Sequence, residues 1–396
     1  MGCKNLFLLV IPHPLGGLRE EEVKVLGKSL IKRLGELPQK DRHEEDCGSD
    51  PTEETIQDYM EFPQEEQAYE FYEMNGWTDG LPIILPTKTR VEKFLSALGK
   101  PSDQILGEMA PMWAQFTVEK IAINAVMAGC RPDYLPLIIK ASEAILEPRF
   151  NLCGVQTTTH PCALLLIING PIRKKLAINS GPNCFGQGWR GNATIGRAMR
   201  LILVNVAGAV PGSVDKATQG NPGKFTYCIA ENEEESPWPP LHIEKGFSPG
   251  SNTVTVVAAE GPHNVNDHGS NTAEGILTTL AGTMATTGSN SLYNHGDTFV
   301  VFCPEHAATI ARDGFSKTDV RRFLFDRVRV PISKMSSKQL EHLRIMSPHP
   351  DKYIDDEDTI GVCTDMAEIN IVVAGGPGKH SAWIPNFLSY SVTQQI

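Results

Sequence analysis

The stretch SGPNCFGQGWRGNATIGRAMRLILVNVAGAVPGSVDKATQGNPG, residues 180–223, is the part of the chain around which the fold is organised. It is crowded with Gly, Asn and Pro, yet it contains an apolar helical run at residues 198–206. Glycine serves where the backbone must turn sharply or approach another group closely. The glycines that precede the run are Gly181, Gly186, Gly188, Gly191 and Gly196. Two interpretations are open: a loop that lets a helix and a sheet pack closely, or an anion site at a helix N-terminus with Arg190, Asn192 and Arg197 as substrate-binding residues.

Apolar runs with strand character alternate with helical periodicities along the rest of the chain. Strands are predicted at residues 162–168, 225–230, 253–258, 298–302 and 369–374. Helices are predicted at residues 68–74, 89–98, 116–128, 131–146, 273–285, 305–313 and 318–326. This alternation predicts an α/β fold with a mixed sheet and flanking helices, and the sequence has no repeat of fixed period.

Composition divides the chain into three regions. Residues 1–38 contain an apolar run suited to a short strand, followed by an amphipathic helix. Residues 39–66 are strongly acidic, contain two prolines and few aliphatic side chains, and are typical of a solvated linker. Residues 67–396 are predicted to form the α/β main domain.

Charge and cysteine usage limit the partners that we expect. The net charge of -11 and the pI near 5.5 argue against a nucleic-acid surface, which needs clustered Lys and Arg. No apolar run approaches the roughly 18 residues of a membrane span. The nine cysteines are scattered without a CxxC pair, which favours reduced thiols in the cytoplasm. We therefore expect a small-molecule substrate as the partner, rather than nucleic acid or a membrane.

The N-terminal segment LLVIPHPLGGLREEEVKVLGKSLIKRL, residues 8–34, resembles the tail of the selenoprotein B subunit of glycine, sarcosine and betaine reductases. It is also similar to the end of the bacterial UGSC-motif (seleno)proteins. In those families a Cys or selenocysteine in an upstream domain carries the chemistry. Here Cys47-Gly48-Ser49-Asp50 lies after the tail and is not its equivalent, so no catalytic residue is carried over.

A second resemblance begins at the W-[ST]-DGLP motif, residues 77–82, and covers nearly all of the chain beyond it. This motif is similar to large uncharacterised bacterial proteins encoded beside or fused to UGSC-type domains. The similarity continues through the segments HPCALLLIINGPI, AENEEESPW, VAAEGPHNV, CPEHA and AGGPGKHS. The resemblances together imply thiol-dependent cleavage or reduction of a carbon–heteroatom bond, and a UGSC-type protein or a second copy of the chain as a protein partner.

His160 and Cys162 are candidate catalytic residues beside the predicted strand at residues 162–168. Two residues apart in an extended segment, they point the same way and could form a thiolate–imidazolium pair. The alternative is that Cys162 is a core residue, as free cysteines commonly are. Cys184 lies in the glycine-rich stretch, where we expect an exposed thiol, and is the other candidate nucleophile.

The segment at residues 374–381, AGGPGKHS, follows the apolar run at 369–374. Its composition is that of a phosphate-cradling loop, but it lacks the GxxxxGK[ST] spacing. Lys379 and Ser381 are candidate substrate-binding residues there, and His380 is a candidate acid or base. Because sites gather beyond the carboxyl ends of strands in α/β sheets, we expect His160 and His380 to share one cleft. The alternative is that both are hydrogen-bonded loop residues.

Acidic and histidine-rich segments supply further candidates. Glu231 follows the predicted strand at 225–230 and is a candidate general acid or base. Side chains that could bind a metal are His160, His263, His268, His295, Asp267 and Asp297. No HExxH motif or paired CxxC sets a ligand spacing, so the sequence assigns neither a metal site nor a cofactor.

The sequence therefore predicts a cytosolic α/β enzyme that acts on a small anionic metabolite, with thiol-dependent chemistry implied by resemblance. Two alternatives stay open. One is a metal-dependent hydratase or lyase. The other is a non-catalytic subunit that docks a separate UGSC-type protein.

Overall fold

The computed structural model describes residues 20–35, 59–346 and 358–396. The chain divides into two compact units, Met1–Met60 and Glu61–Ile396. In the first unit the described element is helix α1, Glu20–Gly35, within the region where an amphipathic helix is expected. The predicted strand at residues 6–11 and the acidic linker as far as residue 58 lie outside the described residues.

The second unit contains the helices and strands that position the site. Its helices are α2 (Glu65–Met74), α3 (Lys88–Leu98), α4 (Val118–Met127), α5 (Leu135–Leu146), α6 (Leu152–Gln156), α7 (Ile172–Lys175), α8 (Arg190–Asn205), α9 (Leu241–Glu244), α10 (Ala273–Met284), α11 (Pro304–Arg312), α12 (Lys317–Arg327) and α13 (Ser337–Met346). Its strands are β1 (Ile105–Met109), β2 (Ala114–Thr117), β3 (Ala163–Asn169), β4 (Cys228–Ala230), β5 (Thr253–Ala259), β6 (His263–Asn266), β7 (Thr298–Phe302), β8 (Arg329–Pro331), β9 (Thr359–Gly361), β10 (Ile369–Val373), β11 (His380–Ile384) and β12 (Val392–Gln395).

The described strands form two four-stranded mixed sheets, besides the two-stranded pairs β1–β2 and β8–β9. The strand order is β12-β5-β3-β4 in the first sheet and β10-β7-β11-β6 in the second. Each sheet combines a parallel pair, β3–β4 or β7–β10, with antiparallel neighbours. The predicted α/β class is therefore confirmed, and the strands expected in one mixed sheet are divided between two.

Alternating side chains place these sheets face to face. In β3, Leu164, Leu166 and Ile168 belong to the core that includes α4, α5 and α8. The intervening side chains of β3 share a second core with the inner side chains of the other sheet, among them Ala163, Leu165, Ile167, Phe299, Val301 and Val372. The outer face of the second sheet packs on α10, α11 and α12. The order of layers is thus helices, sheet, sheet, helices.

The two sheets are built from matching halves of the chain. In the first half β3 pairs in parallel with β4 and antiparallel with β5, and in the second β7 pairs likewise with β10 and β11. The strand that follows in each half joins the sheet of the other half: β6 pairs with β11, and β12 pairs with β5. The two halves thus share an arrangement of paired strands, although the sequence has no repeat of fixed period.

Helix α8 begins at Arg190, earlier than the predicted start at residue 198. Gly191 and Gly196 therefore lie inside the helix and not in the loop before it. A Cβ at Gly196 would lie 2.5 Å from Thr226 Oγ1 and 2.5 Å from Tyr227 N, just before β4. At this position the glycine is required for close packing of a helix against a sheet, the first of the two interpretations open from the sequence.

We expect Gly196→Ala to lower the free energy of unfolding by about 1–3 kcal/mol, because the added methyl group overlaps backbone that cannot move freely. Gly282 in α10 is the matched control, since a Cβ there meets nothing within 4 Å. Gly282→Ala should be neutral or stabilising by up to about 1 kcal/mol. Urea denaturation measures both, and equal stabilities would contradict the packing role of Gly196.

Within the described parts of the chain, no helix is long and apolar enough to cross a membrane.

Candidate functional site

The clearest candidate for chemistry lies where β7 ends and α11 begins. Cys303 is the N-cap residue of α11, and Pro304 occupies the first turn, where its missing N–H costs nothing. His306 lies in the same first turn, and both side chains are buried. The positive end of the helix dipole favours negative charge at this thiol.

Ser381, the second residue of β11, joins Cys303 to His306. The Cys303 backbone N–H donates to Ser381 Oγ at 3.2 Å, and Ser381 Oγ lies 3.7 Å from Cys303 Sγ. His306 Nδ1 lies 2.8 Å from Ser381 Oγ. His306 Nε2 lies 3.0 Å from the carbonyl oxygen of Asp267, which can only accept, so this nitrogen carries a proton. The imidazole is therefore oriented with Nδ1 toward Ser381 and Cys303.

The electrostatics favour a charged Cys303–His306 pair. Burial opposes ionisation of the Cys303 thiol, but hydrogen bonds from His306 and Ser381 and the His306 charge outweigh it and lower the pKa. Burial likewise opposes protonation of His306. Its hydrogen bonds with Cys303 and the Asp267 carbonyl, together with the negative charges of Cys303 and Asp267, outweigh burial and raise the pKa of His306. Because each shift favours the ion that stabilises the other, the arrangement suits a thiolate beside an imidazolium.

The thiols predicted from the sequence lie in a different environment. Burial raises the pKa of Cys162 to about 12 and that of Cys184 to about 11. Cys162 donates to the Val155 carbonyl at 3.3 Å, so the expected pair with His160 is not formed. Cys184 is buried, which corrects the expectation of an exposed thiol. Of the described cysteines, Cys303 is the one whose pKa is lowered.

A cavity of about 250 Å³ lies beside Ser381, at the margin between the two sheets. Its lining combines apolar side chains with a few polar groups, which is usual for a small-molecule site. The polar and thiol residues that line it are Asn183, Cys184, Asn264, His380 and Ser381. The structure thus brings together three of the residues predicted from the sequence, namely Cys184, His380 and Ser381.

His380 is the first residue of β11 and not a loop residue. Its Nδ1 lies 3.0 Å from Asn264 Oδ1, and its Nε2 lies 3.2 Å from His268 Nε2. Asn264 accepts, so His380 Nδ1 carries the proton in this arrangement. The contacts with Asn264 and His268 hold the His380 ring against the cavity.

His160 lies away from His380. Its Nε2 is 2.8 Å from Glu260 Oε1, and its ring stacks on Phe387 with a centroid separation of 4.4 Å. Phe387 follows the end of β11, whereas His380 begins that strand, so the two imidazoles lie at opposite ends. At about 3.3 Å per residue the strand separates them by roughly 13 Å. The shared cleft predicted for His160 and His380 is therefore not formed.

Two predicted substrate-binding residues, Arg197 and Asn192, form contacts within the fold. Arg197 forms a bidentate pair with Asp79 at 2.7 and 2.8 Å, which ties the W-[ST]-DGLP loop to α8. Asn192 is buried. Its side-chain oxygen accepts a hydrogen bond from the Asn179 backbone N–H, and its side-chain nitrogen donates to the carbonyl oxygens of Asn179, Cys184 and Cys228. These contacts use groups that were expected to bind an anion, and the substrate-binding roles of Arg197 and Asn192 stay predictions.

Lys379 and Arg190 have different surroundings. Lys379 Nζ donates to the carbonyls of His268 and Ser270 at 3.4 and 3.2 Å, so it fastens the loop that follows β6. Lys379 is not among the residues that line the cavity beside Ser381, and its substrate-binding role stays a prediction. Arg190, the first residue of α8, is exposed and donates to the Gly129 carbonyl at 3.1 and 2.9 Å. It lines a separate cleft on the helical layer.

Glu231 is fully buried directly after β4. Its Oε2 accepts from Asn169 Nδ2 at 2.6 Å and from the Leu241 backbone at 2.8 Å. Burial raises its pKa, although the Lys317 charge opposes that shift. Glu231 does not line the cavity beside Ser381, and its predicted acid–base role stays a prediction.

The candidate metal ligands do not converge. Among the residues that the structure describes, no group of three or more His, Cys, Asp or Glu side chains could hold a metal ion. Of the described histidines, His268 contacts only His380, while Asp297 accepts from the backbone of Ser391 at 2.8 Å.

No family model matches this chain, and comparisons with curated proteins and with solved structures found no similar protein.

Cys303 and His306 were not identified from the sequence as site residues. A local signal was present, since CPEH places a cysteine between a continuous apolar strand and a helix that begins with proline. A histidine three residues after an N-cap lies on the same side of the first helical turn. In the sequence, CPEHA is one of the segments that resemble other proteins, and the resemblance assigns no role to Cys303 or His306.

Proposed function

We propose that this protein is an enzyme that acts on a small anionic molecule and uses Cys303 as its nucleophile. The observation that carries the proposal is the contact geometry at the junction of β7 and α11, where Ser381 Oγ lies 2.8 Å from His306 Nδ1 and 3.7 Å from Cys303 Sγ, an arrangement that lowers the pKa of Cys303. A thiolate is the reactive form of cysteine, and a neighbouring imidazolium can return the proton to a leaving group.

The cavity beside Ser381 supports a small substrate. Its volume of about 250 Å³ is below the usual range for drug-sized ligands, and its amide, hydroxyl and imidazole groups suit a carboxylate. Ser381 lines this cavity, and its Oγ lies 3.7 Å from Cys303 Sγ, so one residue contacts both the cavity and the thiol, although Cys303 itself is not a lining residue. The resemblances found in the sequence imply carbon–heteroatom bond cleavage, and that reaction class is part of the proposal.

Selective alkylation tests the proposal without knowledge of the substrate. We expect Cys303 to keep a larger fraction of its pH 8.5 rate of alkylation by iodoacetamide at pH 6.5 than Cys153 does, because a lowered pKa leaves more thiolate in acidic solution. Normalising each thiol to its own rate removes the difference in exposure. Cys153 is an internal control because it is exposed. Mass spectrometry of the digested protein measures the alkylation rates of Cys303 and Cys153. Cys303→Ala should remove the alkylation that persists at pH 6.5 and leave that of Cys153 unchanged.

Metabolite protection distinguishes the proposed enzyme from its alternatives. Small-molecule extracts that contain the substrate should slow modification of Cys303 and leave Cys153 unchanged. Alkylation of Cys303 only at alkaline pH would rule out Cys303 as the nucleophile. A subunit that only docks a UGSC-type protein would show no protection at Cys303.

A further inference from the structure

A second cavity lies on the helical layer outside the first sheet. It has a volume of about 910 Å³ and is formed by α3, the segment that follows α4, and the ends of α7 and α8. It shares no lining residue with the cavity beside Ser381. Its size is within the range of cofactor and ligand sites.

The charge of this cleft opposes that of the protein as a whole. Five basic side chains and a single carboxylate are found among its described lining residues: Arg90, Lys93, Arg131, Lys175, Arg190 and Asp133. The protein carries a formal net charge of -11, so positive charge is concentrated here against the overall balance. A concave surface with charge of one sign focuses the field and attracts ligands of the opposite sign.

The arginines of the cleft are anchored in fixed positions. Arg90 donates to the Leu85 carbonyl at 2.9 Å, and Arg190 donates to the Gly129 carbonyl at 3.1 and 2.9 Å. Arg131 pairs with Asp133 at 3.0 Å, which neutralises the carboxylate of the cleft. A guanidinium has five donors, so each arginine keeps donors for a ligand while its orientation is already set.

Lys93 and Lys175 have no ion pair with another described residue, whereas the neighbouring Lys174 pairs with Glu234 at 2.8 Å. The floor of the cleft is apolar and includes Ile84, which is 45% exposed, and Phe94. A single carboxylate would leave most of the cations without a counter-charge, whereas a phosphorylated ligand brings several negative oxygens. Ile84 exposes apolar surface inside the cleft, whereas Phe94 is 6% exposed, so an apolar part of the ligand would cover mainly Ile84.

We infer that this cleft binds a phosphorylated small molecule whose apolar or aromatic part lies on Ile84 and Phe94. Arginine forks match phosphate geometry, and Lys93 and Lys175 add positive charge from α3 and α7. The inference does not depend on the thiol chemistry at Cys303, because the two cavities are lined by different residues.

Calorimetry on the full chain at low ionic strength tests the inference with ADP, pyrophosphate and adenosine as probes. We expect ADP to bind more tightly than pyrophosphate, and adenosine to bind most weakly. Lys175→Glu should weaken ADP binding by about tenfold or more, since a charged contact is lost and a repulsion is added. The matched control is Lys174→Glu on the same helix, which should leave ADP affinity within about twofold because this side chain points to Glu234.

Lys93→Glu provides an independent variant from α3, and it should repeat the loss. Absence of ADP binding at concentrations up to about 1 mM would overturn the inference. Equal weakening by Lys174→Glu and Lys175→Glu would also overturn it, because it would indicate general attraction of anions. Equal affinity for pyrophosphate and ADP would overturn the role of the apolar floor.

Discussion

Replacing His306 with Asn is expected to slow alkylation of Cys303 at pH 6.5 by about tenfold to a hundredfold. The reason is that the thiolate loses its imidazolium partner, and a hydrogen bond to a charged group is worth about 1.5–3 kcal/mol. Burial, which opposes ionisation, then acts on Cys303 without its main compensation. The rate profile should move to higher pH, as measured by mass spectrometry across the range from pH 5 to 9.

Controls separate this electrostatic effect from a general loss of structure. His342→Asn changes an exposed histidine on α13 and should leave the Cys303 profile unchanged. Ser381→Ala removes the hydroxyl that lies between His306 and Cys303, and a smaller shift in the same direction is expected. If both His306→Asn and Ser381→Ala retain the original profile, the thiol is not activated by this pair.

Arg173→Ala is expected to have the largest effect on stability, about 3–5 kcal/mol, because it breaks a buried ion pair and leaves its acceptors unpaired. Arg173 is 4% exposed and donates to the Glu231 carbonyl at 2.7 Å and to Glu233 at 2.8 Å. It also bonds Glu234 through two nitrogens, at 3.2 and 3.1 Å. Chemical denaturation of the variant measures the loss.

The adjacent Lys174 is the matched control for Arg173. Its side chain is 71% exposed and, among the described residues, forms an ion pair with Glu234 alone. Lys174→Ala should cost no more than about 1 kcal/mol, as is usual for exposed ion pairs. Similar losses for Arg173→Ala and Lys174→Ala would show that the buried cluster contributes little.

The same cluster predicts a pH dependence. The hydrogen bond from Arg173 lowers the pKa of Glu234 to about 2, from an ordinary value of 4.5. A carboxyl group whose folded pKa is lowered stabilises the fold above its unfolded pKa, and that contribution is lost as pH falls. The native protein should therefore lose this contribution between about pH 4.5 and 2. Arg173→Ala should lose less stability over that interval.

Central strands were predictable because their sequence carries its own signal. The run predicted at residues 162–168 is observed as β3, Ala163–Asn169, and the run at 298–302 is observed as β7. A strand covered on both faces needs an apolar side chain at nearly every position, and such runs are visible without any knowledge of the partner strands. These runs and the helices between them were sufficient to determine the α/β class.

Edge strands were not predictable on the same basis. β6 contains His263, Asn264 and Asn266 with Val265 as its one buried residue, so it reads as a polar loop. Its strand conformation comes from pairing with β11, which lies far along the chain. The exchange of β6 and β12 between sheets is likewise a property of long-range pairing, and no local pattern records it.

The composition of the site shows the same division. The sequence by itself determined the α/β class and supplied the candidate thiols, histidines and glycine-rich segments. Only the tertiary structure decided which thiol is activated, because a pKa depends on burial and on partners that folding brings close. Ser381 is 78 residues from Cys303, and the Asp267 carbonyl that orients His306 is 39 residues from it. Cys162 and Cys184 lack such partners and are buried among apolar groups, so their thiols stay protonated.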